Sequence, residues 1–260
     1  MEHATSPDGT TIAYHHRGTG RPLLLVHGTT ADHHSWAAIA PLLEPHCTLY
    51  AMDRRGRGES GDAADYSLAH EVNDIVAVIE AIGRPLGLLG HSYGALCSLE
   101  AALLTDKIAR LMLYEPGIAG DIPLYPPGVP EQMQALINRG QLEEAMLVMF
   151  REVVRMPEHE LNAYRQSPLW AARLPLARTI PREMAAELAY PFDAARFVGL
   201  RTPTLLLSGE ESPDVLQQAT ALVHAALPNS RVAILPGQQH IAYRTAPELF
   251  AATVLGFLRS

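Results

Sequence analysis

The segment "LGLLGHSYGAL", Leu86 to Leu96, joins a short apolar run to an Ala- and Leu-rich run through a turn centred on Ser92. Gly90 and Gly94 stand two residues before and after this serine, where a strand and a helix meeting in a sharp turn leave little room for side chains. The turn directs the serine side chain outward, and the positive end of the following helix favours negative charge beside it. This G-x-S-x-G pattern is typical of a nucleophile elbow, so we predict that Ser92 is the nucleophile of an acyl-transfer reaction.

A serine hydroxyl is a poor nucleophile unless a base accepts its proton, and an imidazole suits that task at neutral pH. The segment "ILPGQQHIAYRTAPE", Ile234 to Glu248, places His240 in a loop between the last predicted strand and the last predicted helix. The other histidines of the twelve in the chain lie in edge, loop or helix-surface contexts. We therefore predict that His240 is the base.

The segment "LLLVHGTT", Leu23 to Thr30, brings a loop to the end of the first buried strand. An oxyanion hole needs two backbone N–H groups, and the amides of Thr29 and Tyr93 are the candidates. Gly28 permits the loop shape that this requires. The alternative interpretation is an ordinary strand-to-helix turn.

Asp32, His33 and His34 follow that loop and raise the question of a metal site. No second set of ligands accompanies them at a suitable spacing, so we expect no metal there. Cys47 and Cys97 each lie in an apolar stretch without a second thiol nearby, which predicts packing roles and no disulfide framework.

Short apolar runs alternate with helical patterns through most of the chain, which predicts an α/β fold with a parallel sheet. The predicted buried strands are Leu23 to Val26, Thr48 to Met52, Leu86 to Leu89, Leu111 to Tyr114, Thr204 to Leu207 and Val232 to Leu235. Helical spacing of apolar residues between Val72 and Ile82, ended by Gly83, predicts a covering helix. Thr245 and Glu248 form a capping-box pattern before the last helix. An Asp8-Gly9 turn signal suggests an antiparallel edge hairpin at the start.

The alternation stops from Gly117 to about Leu200, where a Pro-rich segment, "DIPLYPPGVP", precedes a helix-rich stretch. This change predicts an insertion. Within it, Leu142, Met146, Met149 and Val153 recur on one helical face, a pattern more typical of a core than of a ligand-binding wall.

Four motifs in this order, "HGTT", "MDRRGRGES", "GHSYGA" and "GQQH", resemble those of the α/β-hydrolase superfamily. The resemblance implies an α/β-hydrolase fold with a mostly parallel eight-stranded sheet, a helical lid inserted after the strand that follows the nucleophile helix, and no cofactor. We accordingly expect a core formed by residues 1–116 and 201–260 and a lid at residues 117–200. The "MDRRGRGES" loop is expected to shape the site through hydrogen bonds of Asp53 and Arg54.

The acid that would orient His240 is less clear from the sequence. In most relatives it is an Asp three residues after the Gly that ends the penultimate strand, but that position here is Ser212. Asp214 follows Pro213 and reads equally well as a helix N-cap or first-turn acid. Glu115, in "YEP", lies at the carboxyl end of an earlier strand, where some branches such as haloalkane dehalogenases carry their acid. We favour Glu115, and either residue keeps the order serine, acid, histidine.

These residues predict a serine hydrolase that cleaves an ester, thioester or lactone, with Ser92, His240 and Glu115 as the catalytic residues. Hydrolysis of a C–C bond or perhydrolase chemistry by the same residues remains an alternative. Dehalogenase and epoxide hydrolase chemistry is disfavoured, because the corresponding relatives carry Asp where this chain has Ser92. A non-catalytic small-molecule binding protein of the same fold is the alternative from another class.

Composition and charge restrict the classes of binding partner that we expect for this chain. The 260 residues have a formal net charge of −8, and the only basic cluster, Arg54, Arg55 and Arg57, is too short to follow a nucleic-acid backbone. No apolar run reaches the ~18 residues that a membrane span needs. The first residues, "MEHATSPDGT", lack the apolar core of a secretory signal, so we expect a cytoplasmic location. We therefore expect a small-molecule substrate, with no nucleic acid and no membrane as partner, and the oligomeric state stays undetermined.

Overall fold

The computed structural model describes residues 1–259, apart from the side chain of Pro168. One eight-stranded sheet runs through the molecule in the order β1-β2-β4-β3-β5-β6-β7-β8. The strands are β1 (Glu2–Thr5), β2 (Thr11–Gly18), β3 (Arg21–Val26), β4 (Cys47–Met52), β5 (Leu86–His91), β6 (Ile108–Tyr114), β7 (Thr204–Gly209) and β8 (Ser230–Leu235). Strands β3 to β8 are parallel, and β1 and β2 add an antiparallel edge. The predicted α/β-hydrolase fold is confirmed.

The six predicted strands coincide with β3 to β8, and each observed strand extends beyond the predicted one by one to three residues at one end. The antiparallel pair at the start is also observed. Its turn is closed by the Ser6 amide, which donates to the Thr10 carbonyl at 2.9 Å, and Gly9 adopts a φ of 88°. Asp8 accepts a hydrogen bond from the Thr10 amide at 2.9 Å, as expected of an Asp in such a turn.

Helices cover both faces of the sheet. They are α1 (Ala40–Leu43), α2 (Leu68–Ile82), α3 (Tyr93–Ala101), α4 (Val129–Asn138), α5 (Leu142–Val148), α6 (Glu158–Arg165), α7 (Pro168–Arg173), α8 (Ile180–Leu188), α9 (Asp214–Ala226), α10 (Ala242–Thr245) and α11 (Pro247–Arg259). The Ser67 hydroxyl accepts from the His70 amide at the start of α2, and left-handed Gly83 ends the helix as predicted.

The core lies on both faces of the sheet because successive residues of a strand point to opposite sides. Leu24 and Val26 of β3 pack into one apolar cluster with α2 and α3, whereas Leu23 and Leu25 pack into a second cluster with α11. All four residues are fully buried. The near-continuous apolar strands of the sequence therefore reflect burial on two faces.

The segment between β6 and β7 contains α4 to α8 and has an apolar cluster of its own. Met146 and Trp170 are buried within this cluster, which also includes Val215 and Leu216 of α9. The helices thus pack above the carboxyl edge of the sheet, near the start of α9. The division of the chain into a core and a lid at residues 117–200 stays a prediction.

The capping-box prediction at Thr245 and Glu248 is wrong. Thr245 ends the short helix α10, and its hydroxyl donates to the side-chain oxygen of Gln238 at 2.7 Å. Helix α11 begins two residues later, at Pro247. Within residues 1–259, we find no helix whose length and apolarity would let it cross a bilayer.

Candidate active site

Ser92 occupies a strained turn between β5 and α3, with φ 55° and ψ −123°. A methyl group at Gly90 would lie 2.5 Å from the Gly94 carbonyl oxygen, and one at Gly94 would lie 2.4 Å from the His27 carbonyl oxygen. Both glycines are therefore required by close backbone approach, as the sequence predicted. A positive φ at a non-glycine residue is costly and persists where the surrounding structure imposes it.

His240 lies in the loop between β8 and α10, and its imidazole Nδ1 is 2.6 Å from Oε2 of Glu115. Both side chains are buried, and the Glu115 side chain is fully inaccessible. The other oxygen of Glu115 accepts hydrogen bonds from the Gly209 amide at 2.7 Å and from the Ser208 hydroxyl at 3.3 Å. The buried carboxylate is therefore well provided with hydrogen-bond donors.

The acidic residues of the loop after β7 do not take the position that Glu115 has beside His240. Asp214 is exposed in the first turn of α9, and the N-cap position belongs to Pro213. Glu210 is also exposed and accepts from the Gly237 amide at 2.8 Å. Ser212, at the position where most relatives carry the acid, is buried. Of the two candidate acids, the structure brings Glu115 to His240.

Ser92 and His240 line the same cavity, which opens between the sheet edge and the inserted helices. The neighbouring His91 is buried, and its Nε2–H donates to the His240 carbonyl oxygen at 2.8 Å. Burial lowers the pKa of His91 well below its usual value, so this ring is neutral and serves as a fixed donor. The contact holds the His240 loop against the end of β5.

The predicted oxyanion loop lies beside the serine. A methyl group at Gly28 would lie 2.9 Å from Cβ of Ser92, so only glycine allows this approach. Among the described residues, no acceptor takes a hydrogen bond from the backbone amide of Thr29 or of Tyr93. Thr29 lines the cavity, and the Tyr93 amide begins α3 directly after Ser92. Neither amide is therefore committed to another residue in the described part of the chain, and their role as an oxyanion hole stays a prediction.

The sequence profile of the alpha/beta hydrolase family matches residues 23–253. The chain belongs to this family. A crystal structure of an alpha/beta hydrolase from Sphaerobacter thermophilus superposes with a TM-score of 0.87 at 33% identity, covering 99% of this chain and 100% of that chain.

Curated relatives of this hydrolase are enzymes. The pimeloyl-[acyl-carrier protein] methyl ester esterase of Edwardsiella ictaluri is 26% identical over 95% of this chain and 97% of its own length. The 2-(acetamidomethylene)succinate hydrolase of Mesorhizobium japonicum is 25% identical over 95% of this chain and 91% of its own. The protein is therefore a hydrolase, in agreement with the prediction from its motifs.

The "MDRRGRGES" loop supports the predicted oxyanion loop through His27. The Nδ1–H of His27 donates to the Gly28 carbonyl at 2.9 Å, and its Nε2 accepts from the Arg54 amide at 3.1 Å. Burial and the charges of Arg54 and Arg57 lower the pKa of His27 to about 3, which keeps the ring neutral for both contacts. Asp53 accepts hydrogen bonds from the amides of His33 and Glu59.

The side chain of Arg54 belongs to a buried ion network beneath the cavity of the hydrolase. It is fully buried, 2.8 Å from Glu183 of α8 and 3.4 Å from Glu71 of α2, and its guanidinium lies 4.7 Å from the Tyr93 ring centroid. Arg57 also pairs with Glu183. This network links the sheet core to the inserted helices.

One group of potential metal ligands lies together among the described residues: His15, His33 and Asp53. Asp32 and His34, which flank His33 in the sequence, are not part of it. Nδ1 of His33 is 2.8 Å from Asp53, so this pair is already joined by a hydrogen bond. None of the three residues lines the cavity with Ser92, and the expectation of no metal stays a prediction.

Sequence reasoning missed several cavity-lining side chains of the hydrolase, among them Tyr125, Arg173, Glu187 and Arg244. The sequence offers no periodicity or motif that separates buried Arg173 from exposed Arg178, five residues later. Met149 and Val153 pack in or against the apolar cluster of this segment, as their pattern predicted, and they also line the cavity. Met146, on the same predicted face, packs in the apolar cluster of the insertion as expected.

Proposed function

We propose that this hydrolase cleaves carboxylic esters, thioesters or lactones through an acyl-enzyme on Ser92. One observation carries the proposal. Ser92 and His240 share a cavity, and Nδ1 of that histidine is held by the buried Glu115 carboxylate. A serine in a sharp turn, an imidazole and a buried acid together form the arrangement that activates a hydroxyl.

In the acylation step, His240 Nε2 takes the proton of Ser92 while the serine oxygen forms a bond to the substrate carbonyl carbon. The resulting imidazolium then donates this proton to the leaving alcohol or thiol, as the bond from the carbonyl carbon to the leaving group breaks. A water molecule, deprotonated by the same imidazole, then attacks the carbonyl carbon of the acyl-enzyme. As the bond from this carbon to the serine oxygen breaks, the imidazolium returns the proton to Ser92 and the acid is released. Glu115 keeps its negative charge throughout, fixes the tautomer of His240 and stabilises its positive form.

Negative charge develops on the substrate carbonyl oxygen in both steps. The amides of Thr29 and Tyr93, which have no acceptor among the described residues, are suited to receive it. Backbone donors fixed by a loop and by the start of a helix need little reorganisation when the charge appears. The positive end of α3, nine residues long, adds to the same effect.

The inserted helices supply much of the substrate pocket in this proposal. Leu124, Met149, Phe150 and Val153 come from residues 117–200 and line the cavity opposite Ser92. Such an apolar wall would accept the non-reacting part of the substrate and exclude water. We therefore propose that this segment acts as a lid.

Similarity to esterases supports ester cleavage. Besides the methyl ester esterase described above, the esterase RhEst1 from Rhodococcus is 25% identical and superposes with a TM-score of 0.76 over 100% of this chain and 98% of its own.

Covalent labelling of Ser92 tests the proposal. Folded protein treated with a fluorophosphonate probe should form one adduct, mapped to Ser92 by peptide mass spectrometry, and should hydrolyse p-nitrophenyl butyrate. Ser92→Ala and heat-unfolded wild type should lose both properties. Absence of an adduct and of turnover in the folded wild type would favour a non-catalytic binding protein. An adduct without hydrolysis of any ester, thioester or lactone in a panel would favour C–C bond hydrolysis instead.

A further inference from the structure

An arginine without an acidic partner lies in the wall of the proposed active site. Arg173, the last residue of α7, lines the cavity and is 5% exposed. Its Nη2–H donates to the Ser35 hydroxyl at 2.8 Å, and its guanidinium carbon lies 5.7 Å from the Tyr164 ring centroid. Among the described residues, no carboxylate lies within ion-pair distance of it. A buried charge is costly unless it is paired, so this arginine needs an explanation.

A second guanidinium strengthens the positive charge on this side of the cavity. Arg244 of α10 is half-buried, lines the cavity and lies 4.3 Å from the centroid of the same Tyr164 ring. It too has no ion-pair partner among residues 1–259. Two arginines from different elements therefore flank one aromatic ring and face the cavity that holds Ser92.

The acid side chain on the cavity wall does not balance this charge. Glu187 of α8 is the one carboxylic acid among the described lining residues. Burial, together with the charge of Glu183, raises the pKa of Glu187 to about 8, so this side chain is mostly protonated at neutral pH. The Tyr125 hydroxyl donates to it. Two guanidinium groups therefore line a cavity whose one lining carboxylic acid, among the described residues, carries little negative charge at neutral pH.

Arg173 lines the same cavity as Ser92 and His240. The positive charge of Arg173 contributes to the lowered pKa of His91, the residue before Ser92. The same charge opposes the rise that burial causes in the pKa of Tyr243, three residues after His240. A guanidinium has five N–H donors in a planar fork, and among the described residues that of Arg173 donates one hydrogen bond, to Ser35. The free donors match the two oxygens of a carboxylate, which Arg binds in a bidentate manner.

We propose that the natural substrate carries a carboxylate besides the bond that is cleaved, and that Arg173, assisted by Arg244, binds this carboxylate. The inference rests on the proposed function, since it assigns the substrate class of the same site. Arg173 acts as a specificity residue and takes no part in proton transfer.

Matched pairs of esters test the proposal. In the first pair, methyl hydrogen glutarate carries the carboxylate on the acyl side, and methyl pentanoate is its neutral counterpart. In the second pair, 4-acetoxybenzoate carries the carboxylate on the leaving group, and phenyl acetate is its neutral counterpart. Wild type should prefer the charged member of at least one pair. Arg173→Gln should reduce kcat/KM for that member by about 100-fold, mainly through KM, and change the neutral member by less than about 3-fold. Arg173→Lys should restore part of the loss.

Two control variants separate substrate binding from a structural role. Ser35→Ala removes the hydrogen bond between Arg173 and the core but keeps the guanidinium, so it should retain the preference for the charged ester. Arg178→Gln changes an exposed arginine of the same segment and should behave as wild type. If Ser35→Ala matched Arg173→Gln on both esters of a pair, Arg173 would be a structural tether and the proposal would be wrong.

A measurement on the neutral ester keeps the two proposals distinguishable. Free glutarate and benzoate should inhibit hydrolysis of methyl pentanoate or phenyl acetate competitively in wild type. In Arg173→Gln, the inhibition constant of at least one of the two acids should be more than about tenfold higher. Turnover of neutral esters through Ser92 without any carboxylate preference or Arg173-dependent inhibition would overturn the substrate class alone. Failure of wild type to hydrolyse any of the esters would overturn the proposed function.

Discussion

At the residue scale, Glu115 adopts a conformation that most non-glycine residues avoid. Its φ is 46°, and Ser92 on the neighbouring strand end has a φ of 55°. The left-handed turn carries the chain away from β6, and two residues later the Gly117 amide donates to the Ser92 carbonyl at 3.2 Å. Strain at both positions is offset by the hydrogen bonds that surround them. The proposed nucleophile and its proposed acid are thus held by two adjacent strained turns.

Replacement of the two candidate acids should separate their roles. Glu115→Gln keeps the size of the side chain but favours the wrong tautomer of His240, so kcat for p-nitrophenyl butyrate should fall by about 10⁴-fold. Asp214→Asn is the matched control and should leave kcat within about 2-fold, since Asp214 is exposed on α9. Steady-state kinetics of the two purified variants provide the measurement. A collapse of activity in Asp214→Asn alone would mean that the acid is wrongly assigned.

At the scale of elements, helix α8 is joined to the sheet core by a buried ion network. Glu183 pairs with Arg54 and Arg57 from the loop after β4, and Glu71 of α2 lies on the other side of Arg54. Burial opposes ionisation of Glu183, but the two arginine charges outweigh it and lower the pKa of this carboxyl to about 2. The carboxylate is therefore charged at neutral pH.

Loss of this carboxylate should destabilise the protein. Glu183→Gln leaves two buried guanidinium groups without their shared partner, which costs about 3–5 kcal/mol. Glu158→Gln is the control, because Glu158 pairs with Arg151 on the surface and its removal should change the free energy of unfolding little. Urea unfolding monitored by circular dichroism gives both values. Equal stability of the two variants would show that the network does not hold α8 to the core.

At the scale of the whole molecule, a buried Glu187 makes stability depend on pH. Its pKa is raised to about 8 from an ordinary value of 4.5, mainly by burial. The unfolded chain therefore loses this proton at lower pH than the folded protein does. The stability associated with the protonated form is fully present below pH 4.5 and is lost as pH rises through 8.

Glu187→Gln should remove that dependence. Relative to wild type, this variant should gain stability between pH 5 and pH 8.5, by an amount on the order of a few kcal/mol. Contributions from the buried histidines cancel, since both proteins contain them. Glu144→Gln, at an exposed position of α5, is the control. Its free energy of unfolding should differ from that of wild type by the same amount at both pH values. Free energies of unfolding in urea, measured at the two pH values, provide the test, and a parallel response of wild type and Glu187→Gln would contradict it.

Much of the fold was predictable because its signals are local. A strand buried on both faces needs a run such as Leu23 to Val26 in which every residue is apolar, and this run is visible without any neighbour. The prediction failed at Thr245, where the capping pattern is present but the hydroxyl donates a hydrogen bond to the side chain of Gln238. A hydrogen-bond partner seven residues away competes with the cap, and local pattern does not reveal it.

By itself, the sequence determined the elbow at Ser92, because close packing of strand and helix backbones excludes side chains at Gly90 and Gly94 whatever surrounds them. It left two acids open for His240. Only the tertiary structure decided which one lies against it, since Glu115 and His240 are 125 residues apart and meet because β6, β7 and β8 lie side by side with their carboxyl ends at one edge. The burial of Arg173 was decided in the same way, because the charge environment of a side chain depends on the elements packed around it and not on its neighbours in the chain.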